Sequence, residues 1–166
     1  RSNLTGTTAI GDLAICDLVI EAIIENVEEK RTSYAALEAV VGPQAIFCSN
    51  TSSLCITELA SATKRPDRFG GLHFFNPVPI MKLVEVIRGL ATTDDTYAAV
   101  FAFAQSLGKE PITAPDRPGF IVNRLLVPFR EAYLHGAAPQ VLDVSGAGVL
   151  SASGSHRAQI AEATGG

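Results

Sequence analysis

His73 lies in the apolar run Gly71-Leu-His-Phe-Phe-Asn-Pro-Val-Pro79, and Glu85 follows twelve residues later within Leu83-Val-Glu-Val-Ile87. An imidazole with a carboxylate on one ring nitrogen is held in one tautomer, and its protonated form is stabilised. The other nitrogen can then take or give a proton, which suits general acid/base chemistry. Pro77 and Pro79 mark a turn that lets the second run return beside the first, so Glu85 can reach the ring. The bland alternatives stand beside this. A lone histidine at a strand end is more often a core residue, Glu85 can be an exposed strand carboxylate, and Lys82 a solvated turn charge. Spacing alone leaves these readings open.

Three further polar groups accompany the pair. Ser49-Asn-Thr-Ser-Ser53 directly follows the apolar run Ala45–Ser49. In an open parallel sheet, ligands bind beyond the carboxyl ends of the strands, so these small polar residues, Ser52 among them, can hydrogen-bond a ligand. They can equally be a polar loop with Ser53 as a helix N-cap, and the residues alone slightly favour that. Asn123 sits in Pro118-Gly-Phe-Ile-Val-Asn-Arg124, near the start of an otherwise apolar helix. It can be a cap, a surface amide or a ligand contact. Glu25 and Lys30 flank the end of the first strand. They can touch a ribose or adenine, but a surface ion pair is the better reading from sequence alone.

The elements that would position these groups follow from hydrophobic period and punctuation. Asp17–Ile23 is short, apolar and β-branched, as in a strand buried on both faces. Asn26 with Glu29 three residues on resembles a capping box, and a helix follows from about Val27 to Val41 with Tyr34, Leu37 and Val41 on one stripe. Gly42-Pro43 stops it. Ala45–Ser49 is a second buried strand, a short helix covers about Cys55 to Ala62, and Phe69–Phe75 and Leu83–Ile87 are a third and fourth strand. In the fourth, Val84 and Val86 face opposite to Leu83, Glu85 and Ile87. Thr93-Asp-Asp95 opens a helix that ends at Gly108, and Glu110–Ala114 is a last short strand. Pro118 suits the first turn of a final helix, Gly119 to about His135, kinked at Pro128. This alternation predicts a doubly wound α/β fold with a parallel sheet. The later strands lack long helical crossovers, which leaves the far edge free to turn antiparallel.

Composition narrows the class. The 166 residues suffice for one domain or parts of two. Hydrophobic residues make up 47% and charged residues 18%, a low charged share that fits segments buried on both faces. A net charge of −4 argues against nucleic acid as a partner. Every apolar run is broken by a charge, Pro or Gly before it reaches a membrane span. No signal peptide is legible at the start, and the chain does not begin with Met. Cys16, Cys48 and Cys55 have no C-x-x-C spacing, so they read as small apolar residues of a reducing compartment rather than metal ligands or a disulfide framework. No complete G-x-G-x-x-G occurs. Gly146-Ala-Gly148 comes nearest, but Ser151 stands at the third glycine position and no amphipathic helix follows. From Gly136 on the text turns rich in Gly, Ser and Ala, with weak periodicity, and reads as a poorly ordered or weakly packed tail.

The clusters in this order resemble the 3-hydroxyacyl-CoA dehydrogenase family. The matching text runs from about Asp17 to Phe129. It comprises Asp-Leu-Val-Ile-Glu-Ala-Ile-Ile-Glu-Asn, Ser-Asn-Thr-Ser-Ser-Leu, Gly-Leu-His-Phe-Phe-Asn-Pro-Val-Pro-Ile-Met-Lys-Leu-Val-Glu-Val-Ile and Pro-Gly-Phe-Ile-Val-Asn-Arg-Leu-Leu-Val-Pro. The Pro-Val-Pro-Ile-Met-Lys text is similar to the single-function enzymes, including 3-hydroxybutyryl-CoA dehydrogenases. The resemblance implies NAD-dependent oxidation of an L-3-hydroxyacyl-CoA to the 3-ketoacyl-CoA, in β-oxidation or butanoate metabolism. It implies that His73 is the base and Glu85 its partner. Ser52 and Asn123 match residues that bind the substrate's hydroxyl and thioester oxygens, with Ser52 also at the cofactor. Asn76 matches a residue beside the cofactor, and Glu25 and Lys30 match contacts near the nicotinamide-side ribose.

The resemblance also divides the chain. Residues 1–115 match the later part of a Rossmann-type NAD-binding domain, without the βαβ unit that holds the Gly-rich loop. Residues 116–135 match the first helix of an all-α domain that the family uses to form homodimers, and 136–166 do not read like the family. Without its usual neighbour, the strand at Asp17–Ile23 presents an unpaired apolar edge. Because the loop that holds the pyrophosphate is missing, these residues alone are expected not to turn over substrate. Bacterial cytoplasm and mitochondrial matrix are both compartments the family occupies. A non-catalytic remnant, or a structural relative such as the lens crystallins of this family, is the competing reading, and the full Ser52, His73, Glu85 and Asn123 set argues for descent from an active enzyme. Dehydrogenases of small β-hydroxy acids commonly use a lysine near this place, and the His73–Glu85 pair argues against them.

Overall fold

The computed structural model describes residues 4–135, 140–142 and 149–151. After a 3-10 segment, Ile10–Ile15, the order is β1 (Leu18–Glu21), α1 (Val27–Glu38), β2 (Ile46–Ser49), α2 (Ile56–Ser61), β3 (Phe69–Phe74), β4 (Leu83–Arg88), α3 (Asp94–Ser106), β5 (Glu110–Ala114), α4 (Val122–Leu134), β6 (Gln140–Leu142) and β7 (Val149–Ser151). The chain forms two compact units, Arg1–Asn123 and Arg124–Gly166.

In the first unit a single sheet has the order β1-β2-β3-β4-β5. β1, β2 and β3 run parallel, β4 runs antiparallel to β3, and β5 runs parallel to β4. The reversal at β4 follows from connection length. Residues 75–82 are too few for the crossover that a parallel neighbour needs, so β4 returns as a hairpin partner. The expected lack of a long crossover holds only there. α3 carries the chain from β4 to β5 and restores parallel pairing.

Helices cover both faces, as a doubly wound sheet requires. On one face Tyr34, Leu37 and Val41 meet Phe47, Phe69, Ile87 and the α2 residues Ile56 and Leu59. On the other, Val100 and Ala104 of α3 pack on Cys48, Leu72, Val84 and Val86. The alternation expected along β4 is therefore real, with Val84 and Val86 on the α3 side and Ile87 on the α1/α2 side. β3 is packed so closely between β4 and α2 that a Cβ on Gly71 would stand 2.8 Å from Ile87 Cβ of β4 and 2.9 Å from Ile56 Cδ1 of α2.

The helix ends are fixed by polar side chains. Asn26 caps α1, accepting from Glu28 N at 2.9 Å and Glu29 N at 3.2 Å. Only half of the expected capping box forms, because Asn26 N donates instead to Ile24 O. Beyond α1, buried Arg65 holds Glu38 through Nε at 2.9 Å, donates to the carbonyls of Val41, Gly42 and Ala45, and lies 4.4 Å above the Phe47 ring. Ser53 is not the cap of α2. Cys55 stands at that position, and Asp116 accepts from Ile56 N at 2.7 Å and Thr57 N at 2.8 Å.

The final helix starts later than expected, at Val122 rather than Gly119. Phe120 N donates to Arg117 O, and Gly119 and Phe120 have φ of 76° and 48°. Pro118 and Gly119 thus occupy the corners of a type II-like turn, which a helix cannot share. Pro118 serves that turn and not the first turn of the helix. Pro128 lies inside α4. In the second unit β6 and β7 pair antiparallel. Most of the 136–166 tail, with Gly146 and Gly148, lies outside the described residues. Among the described residues no helix is long and apolar enough to cross a membrane.

Candidate active site

β3 and β4 pair so that His73 and Glu85 are direct cross-strand partners. Both project to the face that carries Ile87 and Phe120, and both are buried. His73 Nδ1 lies 2.7 Å from Glu85 Oε2. A carboxylate can only accept, so Nδ1 carries the hydrogen, and in the neutral ring Nε2 keeps its lone pair. The imidazole stands against the rings of Phe75 and Phe120, with centroids 4.5 and 5.7 Å away. Nε2 has no hydrogen-bond partner among the described residues.

Glu85 is fully buried, so it is not an exposed strand carboxylate. Its second oxygen, Oε1, accepts from Ile121 N and Val122 N, both at 2.9 Å. These are the amides at the start of α4, which have no acceptor within the helix. The Pro118-Gly-Phe turn delivers them and places Phe120 on the imidazole in the same step.

The polar loop after β2 is held from below. Asn50 Oδ1 accepts from Phe74 N at 2.8 Å and ties the exit of β2 to the end of β3. Thr51 is buried and donates to Glu25 Oε1, which also accepts from Ser52 N at 2.9 Å and Ser53 N at 3.2 Å. Burial works against the Glu25 charge, but these hydrogen bonds and the nearby Lys30 outweigh it. The Glu25 carboxyl is held below the ordinary carboxylate value. Ser52 is exposed, its hydroxyl makes no hydrogen bond among the described residues, and its carbonyl accepts from Asn123 Nδ2 at 3.2 Å. Ser52 and Asn123 are thus brought together. Asn76 is exposed in the turn after β3.

Lys30 is not half of a surface ion pair. It is 1% exposed, with Nζ 2.6 Å from Glu21 Oε1 and 3.4 Å from Glu25 Oε2. Glu21, also buried, accepts in addition from Ile23 N at 2.7 Å, Ser49 Oγ at 2.7 Å and Tyr34 Oη at 3.2 Å. Burial and the Glu21 charge push the Tyr34 hydroxyl up, so it stays a neutral donor. Glu21, Thr51, Phe120 and Asp116 are site supports that the sequence reading missed. Neither Cys48 nor Cys55 is an activated thiol. Burial pushes Cys48 up to about 12, and burial with the adjacent Asp116 carboxylate raises Cys55.

Residues 1–117 match the family model for the 3-hydroxyacyl-CoA dehydrogenase NAD binding domain. The chain belongs to the 3-hydroxyacyl-CoA dehydrogenase family. Human mitochondrial hydroxyacyl-coenzyme A dehydrogenase is 52% identical over 125 residues, covering 75% of this chain and 40% of the relative. The (S)-3-hydroxybutyryl-CoA dehydrogenase of Ralstonia eutropha superposes with a TM-score of 0.75 at 50% identity, over 81% of this chain and 49% of that one. The fatty acid oxidation complex subunit alpha of Idiomarina loihiensis is 50% identical over 84% of this chain and 19% of its own length. The chain spans less than half the length of each of these relatives.

Proposed function

We propose that this chain forms the reacting wall of an NAD-dependent L-3-hydroxyacyl-CoA dehydrogenase, with the segments that complete the cofactor site supplied by the rest of such an enzyme. The observation that carries the reading is the buried His73–Glu85 pair, with one imidazole nitrogen fixed and the other uncommitted. His73 Nε2 takes the proton of the 3-hydroxyl as the C3–H bond breaks and the C3 carbonyl forms. NAD, when bound, supplies the acceptor for the hydride. Glu85 stays charged and stabilises the imidazolium that results. Ser52 and the Asn123 amide bind the hydroxyl and thioester oxygens, and the chemistry of these donors fits the reacting end of a dinucleotide and its substrate. Asn76 stands on the cofactor side.

Glu25 and Lys30 act on the ribose side chiefly by holding the Ser52 loop, since most of their hydrogen-bonding capacity is spent within the chain. Residues 1–115 then belong to the NAD-binding domain and 116–135 begin the helical domain through which the complete enzyme dimerises. The Pro-Val-Pro-Ile-Met-Lys text favours the single-function type, bacterial or mitochondrial. The test is a chimera in which residues 4–135 replace the matching segment of the Ralstonia eutropha enzyme. It should oxidise 3-hydroxybutyryl-CoA, and His73→Gln should lower kcat by about 10²–10⁴-fold with KM little changed. Unchanged turnover in His73→Gln would refute the role of the base.

A further inference from the structure

Residues 76–82 form the turn from the strand of His73 to the strand of Glu85, and they carry Asn76. Every side chain in this turn is exposed, so core packing does not set its shape. Internally it has the hydrogen bonds of Ile80 N and Met81 N to Pro77 O, each 3.0 Å. The remaining hold comes from outside: at the far end Glu110 N donates to Lys82 O at 2.9 Å and the Lys82 ammonium lies 3.7 Å from Glu110 Oε1, while the Pro77–Met81 stretch is held by Lys109. The Lys109 ammonium donates to Val78 O and, at 2.8 Å, to Met81 O. Lys109 reaches the turn because Gly108, with φ of 72°, reverses the chain after α3, and because β5 starts in register with β4, Glu110 opposite Leu83. Among the described residues no carboxylate pairs with this ammonium, so its charge is directed to main-chain carbonyls.

We infer that Lys109 is a positioning residue of the active site. Its ammonium staples the Pro77–Met81 turn and so fixes where Asn76 stands relative to His73. The inference rests on the function proposed above, in which Asn76 stands beside the cofactor. A loosened turn leaves the His73–Glu85 pair intact, since that pair is held by strand register and by the Ile121 and Val122 amides. The cost therefore falls on cofactor binding and not on the proton transfer.

The test uses Lys109→Met, which keeps the apolar stem and removes the donors, and Lys109→Arg, which keeps them. In this chain, Lys109→Met should speed amide exchange at Ile80 and Met81 while the β3 and β4 amides keep their protection. In the active chimera it should raise KM for NAD by about tenfold with kcat within about threefold, and Lys109→Arg should restore KM to within about threefold. A KM for NAD that does not move, or a fall in kcat that accompanies general loss of amide protection, would overturn the positioning role while leaving the base assignment standing. An unsubstituted chimera without turnover would instead overturn the proposed function, and this inference with it.

Discussion

At the scale of single residues, Glu85 has the most demanding position, because its two oxygens serve different elements. Glu85→Gln keeps the shape but turns one acceptor into a donor, so either His73 Nδ1–H or the pair of α4 amides loses its partner. In the active chimera this change should lower kcat by about a hundredfold or more, since an imidazole without its fixed tautomer is a poor base. Exchange at the Ile121 and Val122 amides should quicken at the same time. Glu25 gives a prediction in pH. Its folded carboxyl titrates below the ordinary value, so the stability it confers is complete above that value and is lost as acid carries the pH down through the folded one. Glu25→Gln should therefore destabilise the chain at neutral pH, and the gap from the parent should narrow in acid, as read by urea unfolding across the range. A constant gap would refute the linkage. The His73–Glu85 pair was legible in the sequence as one open reading, because a period of two and one Pro-rich turn permit it. Glu21 was not legible. It looks like any acid at a strand end, and its partners Lys30, Tyr34 and Ser49 come from separate positions that only the folded chain assembles.

At the scale of elements, the strands and helices follow the sequence closely, and the departures have local causes. Glu110–Ala114 is observed with the bounds the sequence suggested, and α1 ends three residues short of the expected stop at Val41. α4 starts late because a turn with positive φ at Gly119 and Phe120 competes with helix and wins. Apolar period cannot register that competition, since Phe120 and Ile121 fit a helical stripe as well as they fit the turn. The cap of α2 was missed for a different reason. Asp116 lies far along the chain from Ile56, and only the placement of β5 brings it close. Gly71 is a point where β3 has no room for a side chain against α2 and β4. Gly71→Ala forces a methyl into Ile87 and Ile56, which should cost about 1–3 kcal/mol of stability in denaturant unfolding. A neutral result would mean that α2 can shift away from the sheet without loss.

At the scale of the whole molecule, the sheet is wound on both faces, and the residues proposed to act gather around the carboxyl ends of β1, β2 and β3, where ligands of such sheets bind. The sequence holds the side chains proposed to react but no G-x-G-x-x-G loop for a pyrophosphate. The purified chain should accordingly form no NADH from 3-hydroxybutyryl-CoA and NAD, whereas the chimera should. NADH formation by the chain alone would show that it binds the dinucleotide without that loop. The reversal of β4 was legible only as a possibility, because it depends on which connections are short, and the α3 crossover was misjudged for the same reason. The reversal has a further consequence. With β4 antiparallel to β3, the base and its carboxylate are neighbours across a hairpin, while the second oxygen of that carboxylate fastens the chain leaving β5. One acidic side chain therefore holds both the imidazole and the Ile121 and Val122 amides. A change that shortens Glu85, such as Glu85→Asp, cannot satisfy both partners, so the hold on the imidazole and the hold on the chain leaving β5 cannot be tuned separately.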